Sequence, residues 1–128
     1  MNAALINDDK LHEACGVFGV YLEDPQRDAA PIVYYGLLSL QHRGQESAGI
    51  AAVKDRNMEC RKGLGLVGEV FTPNVLEQIK GSAALGHVRY STADTITIEN
   101  AQPFMSRSRL GSIAAAHNGA LTNAAVVR

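Results

Sequence analysis

A cysteine, an arginine and an asparagine–glycine pair carry the chemistry of this chain. Cys15 opens the block Cys15-Gly16-Val17-Phe18-Gly19. Arg89 sits within Gly86-His87-Val88-Arg89-Tyr90-Ser91-Thr92, and the pair lies within His117-Asn118-Gly119-Ala120. A fourth block, Leu40-Gln41-His42-Arg43-Gly44-Gln45-Glu46-Ser47-Ala48-Gly49, stands between them. A thiolate is a strong nucleophile. A guanidinium clamps a carboxylate through two parallel hydrogen bonds. An amide N–H beside a glycine backbone N–H can hold the negative oxygen of a tetrahedral intermediate. Together these are the parts of an acyl-transfer site acting on an amide. Singly, each has a plainer reading. A Cys-Gly pair is more often a small buried residue, a strand arginine is usually solvated, and Asn-Gly is the strongest short hairpin signal.

Such a site also needs a base. The four histidines, at 12, 42, 87 and 117, are not placed beside Cys15 by the sequence. Were Cys15 the first residue, its own α-amine would serve. With a pKa of about 7.7–8.0, that amine is partly neutral at physiological pH, and it can take the thiol proton and return one to leaving ammonia. A peptide nitrogen can do neither. Residues 1–14 therefore have two readings, a disordered tail or a propeptide whose removal exposes Cys15. Met1 to Ile6 is too short for a signal-peptide core, and Asp8, Asp9, Lys10, His12 and Glu13 follow at once.

These groups need a scaffold to hold them. With 128 residues, 46% hydrophobic and 20% charged, the chain can build one domain with a real core. A net charge of −1 gives no basic excess for a nucleic acid partner, and no apolar run is long enough to span a bilayer. Cys15 and Cys60 are expected to be reduced in a cytoplasmic protein. There is no Cys-x-x-Cys and no His-x-x-x-His pair, so no metal site is expected in this segment. Cys15 to Leu22 reads as a strand, and Ala29 to Leu40 as a helix with Pro31 in its first turn and Ile32, Tyr35 and Leu38 in its apolar stripe. Ser47 to Lys54 and Met58 to Lys62 read as a hairpin about a turn at Asp55-Arg56-Asn57. Gly63, Gly65 and Gly68 mark a bent passage, and a short helix follows Thr72-Pro73 with Thr72 as its cap. Ala83 to Arg89 and Ser112 to His117 read as further strands, and a helix begins at Leu121. Strands outnumber helices and hairpin spacing dominates, which gives an α+β class.

The same blocks, in this order, resemble the class II glutamine amidotransferases of the N-terminal-nucleophile hydrolases, from about Lys10 to the last residue. The resemblance implies two packed antiparallel sheets between helical layers, incomplete in this fragment. It favours a propeptide at 1–14, with 15–128 the first part of the amidotransferase domain, its remainder and a phosphoribosyltransferase domain being absent. It implies Cys15 as nucleophile with its free amine as base, and Asn118 and Gly119 as the oxyanion hole. Arg89, Thr92, Arg43 and Gly44 would hold L-glutamine, and Tyr90 would couple this site to the acceptor site. The His42–Gly49 and Gly86–Thr92 blocks look like the branch that delivers ammonia to phosphoribosyl pyrophosphate, making 5-phosphoribosylamine in the first step of de novo purine biosynthesis. Relatives that aminate fructose 6-phosphate usually show Arg-Gly-Tyr-Asp-Ser and a tryptophan after the pocket arginine, and this chain has no Trp. The alternatives are another ammonia acceptor, or a non-catalytic module or inactive fragment of the same fold. Ala14, where relatives often carry an acidic residue, and Asp94 to Ile98, in place of a Gly- or Ser-rich stretch, depart from the pattern. Magnesium and a [4Fe-4S] cluster are implied only in the missing C-terminal part. A homo-oligomer is implied at full length, and the segment alone is expected to be inactive.

Overall fold

Small and apolar residues from Cys15 onward form strand β1 (Cys15–Tyr21). Helix α1 (Ala30–Leu40) follows, with a proline in its first turn, and runs into a 3-10 turn at Gln41–Arg43. Strands β2 (Ser47–Lys54) and β3 (Asn57–Leu64) make the expected hairpin. Lys54 pairs with Asn57, so Asp55 and Arg56 alone form the turn, both with positive φ. Two short helices come next, α2 (Val67–Val70) and α3 (Pro73–Glu77), then strand β4 (Ala83–Arg89). After a 3-10 turn at Ile98–Asn100, strands β5 (Phe104–Ser108) and β6 (Gly111–Ala115) form a second hairpin. This is a computed structural model; it describes residues 15–43, 46–90 and 97–119, with Arg43 as backbone only. The expected helix from Leu121 lies outside the described residues.

The first four strands form one antiparallel sheet in the order β1-β4-β2-β3, and β5 pairs with β6 separately. The α+β class follows directly. Side chains alternate between the faces of a strand, so register decides which residues share a face. Ala84, Gly86 and Val88 of β4 lie on one face with Ala48, Ile50 and Ala52 of β2. Helix α1 covers that face: Val33 and Leu37 are fully buried, with Phe71 and Ile79 completing the core. Burying side chains of this size contributes about 1.5–3 kcal/mol each. Asp28 brackets the packing from the helix start. Its carboxylate accepts from the Gly81 N–H at 2.9 Å and from Lys80 Nζ at 3.3 Å.

The helix stripe differs from the expected one. Ala30, Val33, Gly36 and Leu37 face the core, whereas Tyr35 is 67% exposed and Ile32 36%. The helix is apolar almost all round, so spacing alone does not select a face. Contact selects it: the Phe18 ring packs directly on Gly36. The passage marked by Gly63, Gly65 and Gly68 holds a full helical turn in α2, whose first N–H donates to Gln41 Oε1 at 3.0 Å. The Thr72 cap is present, accepting from Val75 N at 3.4 Å.

Candidate active site

The other face of the sheet carries the chemistry. Cys15 of β1 is directly opposite Arg89 of β4, and Arg89 is directly opposite Ser47 of β2. Directly opposed residues place their Cβ atoms about 4.5–5.5 Å apart on one face. Thiol, guanidinium and hydroxyl thus stand in a single row across three strands. The row below it is Val17, His87, Gly49 and Lys62.

The asparagine–glycine pair reaches this row from the far end of the chain. Asn118 Nδ2 donates to the Cys15 backbone carbonyl at 3.0 Å, across 103 residues. Strand β6 ends at Ala115, so the turn at 117–119 projects past the sheet toward the start of β1. Its approach is fixed by Gln102, whose Oε1 accepts from the His117 N–H. Gly119 has φ +150°, and a Cβ there would stand 3.0 Å from the His117 ring. A side chain at 119 would be both strained and crowded.

Two of the site groups are parked on backbone. Arg89 Nη1 donates to the Asn100 carbonyl at 2.7 Å, and the Cys15 thiol points to the Tyr90 carbonyl at 3.7 Å. Among the described residues Arg89 has no carboxylate partner, and its guanidinium donates to a neutral backbone oxygen. Tyr90 is half exposed at the end of β4. The 3-10 turn carrying Arg43 packs against β1 and β4, which brings that backbone to the same edge. The Arg43 side chain, Gly44 and Thr92 lie outside the described residues.

Cys60 is on β3, with its thiol facing the Pro103 carbonyl at 3.8 Å. Burial pushes its pKa up, against the pull of Lys62 and Arg61, which makes it less reactive. The described residues offer no group of three metal-ligating side chains. No described helix is long and apolar enough to cross a membrane.

The sequence did not single out two buried polar residues, Ser47 in this row and His87 in the row below. His87 is fully buried and Ser47 is 2% exposed. Their ring nitrogens and hydroxyl are the side-chain polar atoms that are buried without a hydrogen-bond partner among the described residues. Desolvation pulls the His87 pKa down to about 4. The His117 backbone acts in the opposite direction, and the charges of Arg89 and His117 add to the lowering. Near neutrality the imidazole is uncharged. The only local signal was a histidine at an inward strand position, which cannot be told from a surface histidine until the second sheet is in place.

An antiparallel sheet backed by a helix, with a thiol at the start of its first strand and an Asn-Gly turn closing on it, is the N-terminal-nucleophile hydrolase type of fold. Comparison with known proteins carries this further. No family model matches the chain. It is 49% identical over 120 residues to the amidophosphoribosyltransferase of Synechococcus elongatus, covering 94% of this chain and 24% of that one. It is 51% identical over 115 residues to the Bacillus subtilis amidophosphoribosyltransferase, covering 89% and 24%. Among solved structures, it resembles one described as the allosteric regulatory enzyme of purine biosynthesis, with TM-score 0.69, 47% identity, and 77% of this chain and 21% of that chain covered. The B. subtilis glutamine phosphoribosylpyrophosphate amidotransferase complexed with ADP and GMP gives 0.66 and 47%, covering 77% and 20%. In sequence and fold the chain is similar to these amidophosphoribosyltransferases, and it spans about a quarter of their length.

Proposed function

We propose that this chain supplies the glutamine-hydrolysing site of an amidophosphoribosyltransferase, with Cys15 as nucleophile. The observation that carries the reading is the 3.0 Å contact between Asn118 Nδ2 and Cys15, made beside an arginine set opposite the same cysteine. Three groups scattered along the sequence converge at one sheet edge, and they are the groups that amide hydrolysis requires.

In this mechanism residues 1–14 are removed and the Cys15 nitrogen becomes a free amine. Glutamine places its α-carboxylate on Arg89, which releases the Asn100 carbonyl and makes two parallel bonds instead. Thr92, Arg43 and Gly44 complete the pocket. The amine takes the thiol proton, and sulfur attacks the side-chain amide carbon. The new oxyanion draws Asn118 Nδ2 away from the Cys15 carbonyl and takes a second bond from the Gly119 N–H. Collapse of the intermediate breaks the carbon–nitrogen bond, and the amine's proton leaves with ammonia. Water then attacks the thioester, freeing glutamate and restoring the thiol. The ammonia displaces pyrophosphate from phosphoribosyl pyrophosphate at a site outside this chain, giving 5-phosphoribosylamine, and Tyr90 lies on the side linking the two sites. The reading places the enzyme in the cytoplasm, as a homo-oligomer, with magnesium and any iron–sulfur cluster held outside this segment.

The test uses the full-length gene product. Intact mass should show a chain beginning at Cys15. Cys15→Ala should abolish glutamine-dependent synthesis and leave ammonia-dependent synthesis intact. Full glutamine-dependent activity in the Cys15→Ala variant, or with residues 1–14 still attached, would overturn the proposal.

A further inference from the structure

Ser47, at the end of the reactive row, and His87, in the row below, form one cluster. Ser47 is opposite Arg89, and His87 is opposite Gly49, two residues further along β2. The two are therefore diagonal neighbours on one face, with Cα atoms about 7–8 Å apart, within reach of a serine–histidine hydrogen bond. Three unpaired buried atoms in one place are unusual, because leaving a buried polar group unsatisfied costs about 1–3 kcal/mol. The backbone of His117 also approaches the His87 ring. It lies close enough to favour a proton on the ring, yet outside hydrogen-bond geometry. His117 begins the turn that carries Asn118 and Gly119.

We propose that His87 is a positioning residue of the glutamine site, its imidazole bridging the Ser47 hydroxyl of β2 and the His117 carbonyl, so that the oxyanion turn is locked to the strands carrying Cys15 and Arg89. One ring nitrogen accepts from Ser47 and the other donates to His117, which uses the neutral ring completely. The bridge closes as Asn118 leaves the Cys15 carbonyl for the oxyanion, because that movement draws the turn inward over the sheet. Until then the atoms are unpaired, as seen here. The neutral state that burial enforces on His87 is the one this arrangement needs. The inference rests on the glutaminase reading above.

The experiment compares variants of the full-length enzyme for glutamine-dependent and ammonia-dependent synthesis. His87→Leu keeps the volume and removes both bonds. Its glutamine-dependent kcat should fall about 10–100-fold, with KM for glutamine changed less than about threefold, as expected when the turn is displaced and the carboxylate clamp is not. Ammonia-dependent synthesis should be unchanged. His87→Gln keeps a donor and an acceptor and should recover most of the loss. Ser47→Ala should lower kcat several-fold, and adding it to His87→Leu should cost nothing more, since both remove one bridge. A His87→Leu variant with normal kcat, or one raising KM alone, would overturn the proposal, as would fully additive losses. If His87→Leu fails to fold, Ser47→Ala, His87→Gln and the shorter His87→Asn decide it: normal kcat in the first, or a His87→Gln kcat no higher than that of His87→Asn, refutes the bridge. Failure of the underlying reading looks different, since Cys15→Ala would then still use glutamine.

Discussion

Gly49→Ala tests whether the oxyanion turn depends on contact between the two hairpins. A Cβ at Gly49 would run into the Gln102 carbonyl oxygen and stand 2.8 Å from its carbon and 2.9 Å from Pro103 Cδ. Carbon atoms pack at about 3.5–4.0 Å, so the 102–103 backbone must retreat by roughly 1 Å. No rotamer can relieve a clash with backbone. Overpacking of this kind costs about 1–3 kcal/mol, offset by the 0.5–1 kcal/mol that alanine gains over glycine inside a strand. The net expectation is a destabilisation of up to about 2.5 kcal/mol, centred near 1, read from urea unfolding. The kinetic effect should be larger. Gln102 Oε1 holds the His117 N–H, so the shift is passed to Asn118 and Gly119. A 1 Å misplacement in a catalytic constellation costs about 10²-fold. Glutamine-dependent kcat should fall to that extent, while ammonia-dependent synthesis stays normal. Gly19→Ala is the control, because its Cβ would meet only ordinary contacts, the nearest at 3.8 Å. Indistinguishable kcat values for the two variants would refute the argument.

Arg89→Lys should raise KM for glutamine strongly with a smaller effect on kcat, since an ammonium cannot reproduce the planar clamp; steady-state kinetics against glutamine decide it. Asn118→Ala should instead lower kcat by about 10²–10³-fold, and a change in KM alone would mean the two roles are exchanged. Stability should fall as pH drops from about 6.5 to about 4. In that window the unfolded chain protonates His87's imidazole while the folded one holds it neutral, so the unfolded state binds more protons. The loss amounts to about 3 kcal/mol at most, and His87→Gln should flatten that part of the denaturation profile.

The site was more legible than its support. Cys15, Arg89 and Asn118 belong to ordered blocks whose residue types state their chemistry, and the structure brings all three to one edge. Strand limits near Cys15, Ser47 and Ala83 were readable from small and β-branched runs flanked by turn residues. The buried face of α1 was not, because Ile32, Val33, Tyr35 and Leu37 are all apolar and only the Phe18 and Gly86 contacts discriminate among them. Strand β5 was missed because Phe104–Ser108 is exposed throughout and rich in serine and arginine, so no burial pattern marks it. Helix α2 was hidden among glycines. Ser47 and His87 could not be recognised as a pair, since their proximity comes from strand register alone.

The placement of Cys15 has a consequence for processing. A new chain terminus is ordinarily the loosest part of a fold. Here the residue that the proposed cleavage would make the terminus is already held in a ladder of seven described pairs, from Cys15–Arg89 to Tyr21–Ala83. If cleavage before Cys15 follows folding, it severs nothing in that ladder. The amine it releases is born already aimed, and its freedom is restricted before it has any chemistry to perform. Folding and activation can then be separate events, with the order of the first guaranteeing the precision of the second.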